Sequence, residues 1–234
     1  MKGLLIKDFC LLKQRKMTLV IFAILAIFLS AYQDPVFAVS YLPICALIIL
    51  VGTMSYDEMD NGYTFLMTMP ITPKLYVFEK YVFCIGGTVI SWVLGVLFYF
   101  ALEVNSGLRT DGKIDWVAYF TMKDFVQRLP DAQDIPMVFL LLFLILFVLS
   151  VMLPIQLKFG LEKGRIALLL VYGVIILGVL AIGNFIGQEQ IEAVVTSLGN
   201  LNLWLILLGF FVILLAVLFV SFLISVKIME KKQY

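Results

Sequence analysis

Six long apolar stretches alternate with polar segments along the chain. A helix needs about 20 mostly apolar residues to cross the hydrocarbon core of a bilayer, and this pattern predicts six spans. The predicted spans cover residues 17–32, 36–54, 82–102, 136–157, 166–186 and 203–226. The fold class is therefore predicted to be all-α integral membrane, with a single transmembrane domain over residues 1–234.

Residues 1–16 are predicted to form an amphipathic helix in the membrane interface. Leu5, Phe9 and Leu12 recur at helical spacing, while Lys7 and Gln14 occupy the other side. Such a helix can lie in the interface with its apolar face in the lipid. A disordered basic tail is the alternative.

The distribution of basic residues predicts the orientation. With the N-terminus inside, thirteen of the seventeen lysine and arginine residues lie on the inner side. Because cytoplasmic loops carry the excess of basic residues, both termini are predicted to be cytoplasmic, in a bacterial plasma membrane. Residues 103–134 then form an extracellular segment, with a predicted helix from Asp115 to about Leu129. A shorter outer helix is predicted at 188–198.

Composition supports the membrane assignment and removes several kinds of chemistry. The chain is 63% hydrophobic and 14% charged, against about 45–50% and 25% in soluble domains. It has no histidine, which argues against His-ligated zinc, imidazole-ligated haem and Ser-His hydrolases. Cys10, Cys45 and Cys84 are interpreted as packing residues. No catalytic residue and no metal ligand are predicted.

The span interiors contain essentially no ionisable residue. Proton- or ion-driven transporters usually need such groups inside the membrane, so an ion-driven mechanism is disfavoured. The sequence GLEKGR at 160–165 does not fit the phosphate-binding pattern G-x-x-x-x-G-K-[ST]. This chain is therefore predicted to bind no nucleotide, and any uphill transport would use ATP hydrolysed by another polypeptide.

Small residues recur four apart on the third predicted span, at Gly87, Ser91 and Gly95. This spacing lets helices approach closely. Packing within the chain and a dimer interface both remain open. Pro154 predicts a kink near the inner end of the fourth span.

A crowded polar segment at 55–81 separates the second and third spans. Asp57, Glu58 and Asp60 precede a short apolar stretch at 63–69, and Thr72 or Pro73 can begin the next helix. Two interpretations are equally compatible with the residues alone. The segment either docks a soluble partner, or it is an interfacial helix that only connects two spans.

Three parts of the chain resemble the permease family of type-2 ABC transporters. The opening residues 1–9 carry one part of the resemblance, and residues 158–165 carry another. The third part lies in the crowded segment and consists of Glu58, Gly62, the stretch Phe65-Leu66-Met67-Thr68-Met69-Pro70-Ile71, the pair Tyr76-Val77 and the triplet Glu79-Lys80-Tyr81. Among family relatives, the chain looks most like small bacterial exporters of the phenol-soluble modulin type.

The resemblance implies six spans, pairing as a homo- or heterodimer, and two cytoplasmic ATPase subunits that bind ATP and Mg. It places the ATPase-coupling segment at 55–76, with a coupling helix at about 56–72. The implied coupling residues are Tyr56, Asp57, Glu58, Asp60, Gly62, Tyr63, Phe65, Leu66, Met69 and Pro70. A second cytoplasmic contact is implied at Lys158, Glu162, Lys163 and Arg165. In many family members the main external helices lie between the last two spans, whereas here the larger external segment follows the third.

The expected function is that of a permease subunit of an ATP-driven exporter, with no enzymatic activity of its own. Its expected cargo is amphipathic or hydrophobic, with amphipathic toxin peptides as the first guess from the resemblance. Membrane lipid is an expected partner and nucleic acid is not. The alternatives are an ABC exporter of drugs or lipids, and a non-transporting membrane scaffold, sensor or immunity protein.

Overall fold

A computed structural model describes residues 2–32, 36–58, 62–68, 71–107, 134–185 and 203–232. Regular structure in these ranges is entirely helical. The helices are α1 (Lys2–Gln14), α2 (Lys16–Tyr32), α3 (Val36–Gly52), α4 (Met54–Glu58), α5 (Gly62–Thr68), α6 (Pro73–Gly107), α7 (Asp134–Phe185) and α8 (Leu203–Lys231). The outer helices predicted at 115–129 and 188–198 lie outside the described residues.

Four helical stretches in the described ranges are long and apolar enough to cross a membrane. They are Val39–Glu58, Pro73–Tyr99, Val138–Gly160 and Leu205–Lys231, and they overlap the second, third, fourth and sixth predicted spans. The first predicted span lies in α2, whose apolar stretch Lys16–Phe28 is shorter. The fifth lies in the second part of α7. The count of six spans therefore stays a prediction.

The long helix α6 begins where the sequence predicts a helix start. The backbone N–H of Leu75 donates a hydrogen bond of 3.3 Å to the hydroxyl oxygen of Thr72, which caps one of the unpaired N–H groups of the first turn. Pro73 is the first helical residue, a position where its missing N–H is harmless. The start of α6 lies next to α4 and α5, which Tyr76 contacts through Asp57 and Tyr63.

The core lies where α3, α6, α7 and α8 meet, and α3 and α6 approach each other closely at Gly87. A Cβ atom at Gly87 would lie 2.5 Å from Cδ1 of Leu50, so only glycine fits without a shift of that side chain. The small-residue spacing on the third predicted span thus serves packing within the chain at this position.

Hydroxyl groups join α6 and α7 to α8 inside the apolar core. The hydroxyl of Tyr81 lies 2.6 Å from that of Ser221 and 2.8 Å from that of Ser225. Ser221 also donates a hydrogen bond to the carbonyl oxygen of Ser150 on α7. Because buried polar groups are costly when unpaired, these bonds favour one register among the three helices.

Helix α7 is broken at Gly160, six residues after Pro154, where the sequence predicts a kink. Pro154 lies inside the helix, whereas Gly160 has φ 76° and ψ 178°. That backbone conformation is essentially restricted to glycine. The break divides α7 into two parts and brings the backbone of Gly160 against the carboxylate of Glu58, on α4.

Replacing Gly160 by alanine is expected to lower the free energy of unfolding by about 1–3 kcal/mol, because the backbone conformation would be strained. The added Cβ would also lie 3.0 Å from both carboxylate oxygens of Glu58. Thermal unfolding of the purified chain in detergent measures the effect. Gly173→Ala is the matched control, since a Cβ there meets nothing within 4 Å. Equal melting temperatures for the two variants would contradict the assignment.

Candidate coupling site

A buried ammonium group joins three helices at one end of the helix assembly. Lys80 on α6 is fully buried. Its Nζ lies 2.9 Å from Oδ2 of Asp57 on α4, and it forms an ion pair with Oδ2 of Asp8 on α1. A buried ammonium is tolerated only when it is paired and hydrogen-bonded. Lys80 therefore requires α1 and α4 to be docked on α6.

A second lysine completes the group. Nζ of Lys7 lies 2.5 Å from Oδ1 of Asp57 and 3.4 Å from Oδ1 of Asp8. Each carboxylate thus faces both ammonium groups, so the formal charges of these four side chains balance. The carboxylate of Glu79, the residue before Lys80 on α6, is buried as well and is not part of these pairs. We call Lys7, Asp8, Asp57 and Lys80 the charge cluster. The end of the helix assembly that contains it is called the charged end.

Two tyrosines extend the charge cluster to α5. The hydroxyl of Tyr76 donates a hydrogen bond of 2.9 Å to Oδ2 of Asp57. The ring of Tyr76 meets the ring of Tyr63 edge to face, with 5.8 Å between centroids. Nζ of Lys232, which follows α8, lies 4.4 Å from the centroid of Tyr63. Aromatic and cation–π contacts of this kind stabilise packed elements, so α5 is held against α6 and the end of α8.

The three predicted coupling residues on α4 have different environments. Tyr56 is exposed, and its hydroxyl accepts hydrogen bonds of 2.9 and 3.2 Å from Arg15. Asp57 is buried and neutralises lysines of its own chain, which differs from the picture of an acid presented to a partner. Glu58 reaches the break at Gly160. Of these three side chains, that of Tyr56 lies most openly on the surface.

Helix α5 presents fewer described side chains than the sequence suggests. It begins at Gly62, where a Cβ would lie 2.8 Å from the carbonyl oxygen of Asp57, so the turn from α4 is tight. Tyr63 and Leu66 are buried in the core, and Phe65 lies on the helix with its side chain outside the description. The remaining coupling residues, which lie outside the described residues, are Asp60, Met69 and Pro70.

The second predicted contact lies on both sides of the break in α7. Lys158 and Lys163 are exposed, and Nζ of Lys158 lies 5.0 Å from the centroid of the Phe159 ring. Glu162 and Arg165 lie on α7, with side chains outside the description. The contact of Glu58 with Gly160 brings this region next to α4. The two predicted contact regions are therefore neighbours.

Sequence reasoning missed the charge cluster. Lys80 and Glu79 belong to the crowded polar segment at 55–81, yet both are buried. One signal was available: Asp8 follows Leu4 by four positions, and both are buried on the same face of α1. An acid on the apolar face of a helix requires a basic partner.

The arrangement is suited to a joint between helices. Four charged side chains from three helices neutralise one another in a mostly apolar setting, and two of the helices are short. Within the described ranges no group of three or more His, Cys, Asp or Glu side chains is placed to hold a metal ion. The ion pairs of Asp57 connect α4 directly to α1 and α6.

Replacing Lys80 by methionine is expected to destabilise the protein by about 3–5 kcal/mol, because the two buried carboxylates of Asp8 and Asp57 would then share only the ammonium of Lys7. Lys74→Met is the matched control on the same helix. Lys74 is 71% exposed and lies 3.6 Å from Glu230, which is 45% exposed, and exposed pairs contribute about 0–1 kcal/mol. Thermal unfolding in detergent compares the two variants.

A double variant separates the ion pair from packing. Adding Asp57→Asn to Lys80→Met should restore part of the lost stability, because one unpaired charge is then removed. If Lys80→Met is no more destabilising than Lys74→Met, the charge cluster does not hold these helices together.

Comparisons with known proteins give one positive result. The model of the family described as ABC-2 family transporter protein matches residues 3–230. It therefore covers all but the first residue of α1, the whole charge cluster and all but the last residue of α8. Comparisons with curated proteins and with solved structures gave no match.

Proposed function

This chain belongs to the ABC-2 family of transporter proteins, and from that premise we propose that it is the permease subunit of an exporter driven by a separate cytoplasmic ATPase. The family match and the membrane-length helices identify a transporter membrane domain. The proposal adds the partner, the place where it acts and the cargo.

The observation that carries the proposal is the charge cluster. It connects α4, within the predicted coupling segment at 56–72, to α1 and to the start of α6. Moving α4 away from α1 and α6 would expose or unpair the buried charges of the charge cluster, which is energetically costly. We therefore expect a force on α4 or α5 to move all three helices together. An ATPase that binds this segment would therefore move α6 as well.

The proposed coupling surface is the charged end, which we place on the cytoplasmic side. Tyr56 on α4 and Lys163 on α7 are exposed there, and the contact of Glu58 with Gly160 keeps the two regions together. An exposed aromatic side chain such as that of Tyr56 suits a protein interface. The ATP and Mg would be bound by the partner.

Two permease subunits, identical or different, would form the transport path, with one ATPase beneath each. Closure of the ATPase dimer on ATP would displace α4 and α5 on both sides. The displacement would pass through the charge cluster to α6. It would switch the transport path between the two subunits from inward-facing to outward-facing. ATP hydrolysis by the partner would supply the energy for transport, since the predicted spans contain essentially no ionisable residue that an ion-driven mechanism could use.

The proposed cargo is amphipathic or hydrophobic, with amphipathic peptides first. The support is the resemblance to exporters of such peptides, together with the apolar character of the helices. Drugs and lipids are the alternative cargoes, and a transport measurement distinguishes them.

Substituting aspartate for Phe65 or Tyr56 is expected to weaken binding of the cognate ATPase at least about tenfold, since aromatic residues at an interface centre often contribute 2 kcal/mol or more. Co-purification of the co-expressed ATPase with the tagged chain measures binding, and ATPase activity in the complex measures coupling.

Gln14→Asp is the control, because Gln14 is exposed at the end of α1 and lies outside the proposed interface. Thermal unfolding of each variant alone confirms that the fold is retained. An intact complex with unchanged ATPase activity in both aromatic variants would refute the coupling assignment.

In vesicles reconstituted with the chain and its ATPase, an amphipathic peptide should stimulate ATP hydrolysis and accumulate in an ATP-dependent manner. A complex whose ATPase cannot hydrolyse ATP is the control and should accumulate none. Stimulation and transport by a lipid or a drug, without any by peptide, would show that the peptide assignment is wrong.

A further inference from the structure

A groove lies between α7 and α8 at the charged end, away from the charge cluster. The volume of the groove is about 690 Å³. Its walls are aliphatic along most of their length, and they include Val151, Pro154, Ile155, Val220 and Ile224. Val220 and Ile224 are 54% and 47% exposed, so the groove is open on the side of α8.

Three lysines lie along one end of this groove. Lys158 comes from α7, and Lys227 and Lys231 come from α8. All three are exposed, and none forms an ion pair with an acid whose side chain the structure describes. The neighbouring acid Glu230 lies 3.6 Å from Lys74 instead. The groove thus combines apolar walls with a cluster of positive charge.

The position of the lysines matches the boundary of the membrane. Lys158 lies near the end of the apolar stretch Val138–Gly160, and Lys227 and Lys231 lie near the end of Leu205–Lys231. Lysines at helix ends extend toward lipid headgroups, and basic pockets between membrane helices bind anionic headgroups. The apolar walls continue from this boundary toward the membrane interior.

We propose that this groove binds one anionic phospholipid, whose phosphate lies among Lys158, Lys227 and Lys231 and one of whose acyl chains lies along the apolar walls. The lysines and the apolar walls together favour a ligand that has both a negative headgroup and an acyl chain. A small anion would not use the aliphatic walls, and a neutral lipid would not use three lysines. The proposal goes beyond the export function and stands without it.

The headgroup contribution is tested with Lys227→Gln and Lys231→Gln in one chain. The full-length protein in detergent is titrated with phosphatidylglycerol or with phosphatidylcholine of the same acyl chains, and native mass spectrometry counts the bound lipids. The unaltered chain should bind one phosphatidylglycerol in preference to phosphatidylcholine. The double variant should lose that preference by at least about fivefold, the effect of about one basic residue at a membrane surface.

The matched control is Lys13→Gln with Lys16→Gln, which removes the same charge from exposed positions outside the groove. It should keep the preference. Lys227→Arg with Lys231→Arg retains the charge and should keep it too, which separates a lost site from a damaged fold. Unchanged binding in the glutamine variant of α8, or equal loss in the control, would overturn the proposal.

The contribution of the apolar walls is tested with Ile224→Trp. The larger side chain should fill part of the groove and reduce binding of both lipids. Glycerol phosphate added in excess should not displace phosphatidylglycerol, because it has no acyl chain to occupy the walls. Displacement by glycerol phosphate would show that only an anion site is present. Crosslinking across the groove to a second copy of the chain, in place of lipid, would show that the groove is a subunit interface.

Discussion

The ammonium group of Lys80 has to be neutralised, and the packing of the charged end depends on this requirement. It lies within the helix assembly without exposure, where an unpaired charge would cost several kcal/mol. Its two carboxylate partners come from different helices, Asp8 from α1 and Asp57 from α4. Docking of the N-terminal helix and of the segment after α3 is thus enforced by a single side chain on α6.

The remaining contacts at this end follow from the same arrangement. Once Asp57 is held, Tyr76 can donate to it and support Tyr63, and the end of α8 closes over Tyr63 through Lys232. Lys232 also donates to the carbonyl oxygen of Leu157 on α7. Helices α6, α7 and α8 therefore all have contacts with the charge cluster or with residues that adjoin it, and α3 leads directly into α4.

The periodic features of the fold were predictable from the sequence, and the long-range pairings were not. Apolar stretches long enough to cross a bilayer predict helices by length alone, and Thr72 with Pro73 predicts the start of α6. Lys7 pairs with Asp57 across 50 positions, and Asp8 pairs with Lys80 across 72. No local pattern connects such residues. The sequence predicts a kink at Pro154, because proline is the usual cause of a kink, but it gives no signal for the break at Gly160, whose backbone adopts a conformation that other residues avoid.

Helix α6 is long enough to connect the charged end to the opposite end of the helix assembly. Its 35 residues make a rod of about 50 Å at 1.5 Å per residue, longer than the hydrocarbon core of about 30 Å. A rigid rod of that length that tilts by about 10° about one end moves its other end by about 9 Å, given the same helical rise. Helix α3, packed against α6 at Gly87, would turn with it. If α3 and α6 turned together about the charged end, a small angular change there would become a large displacement at the other end of both helices.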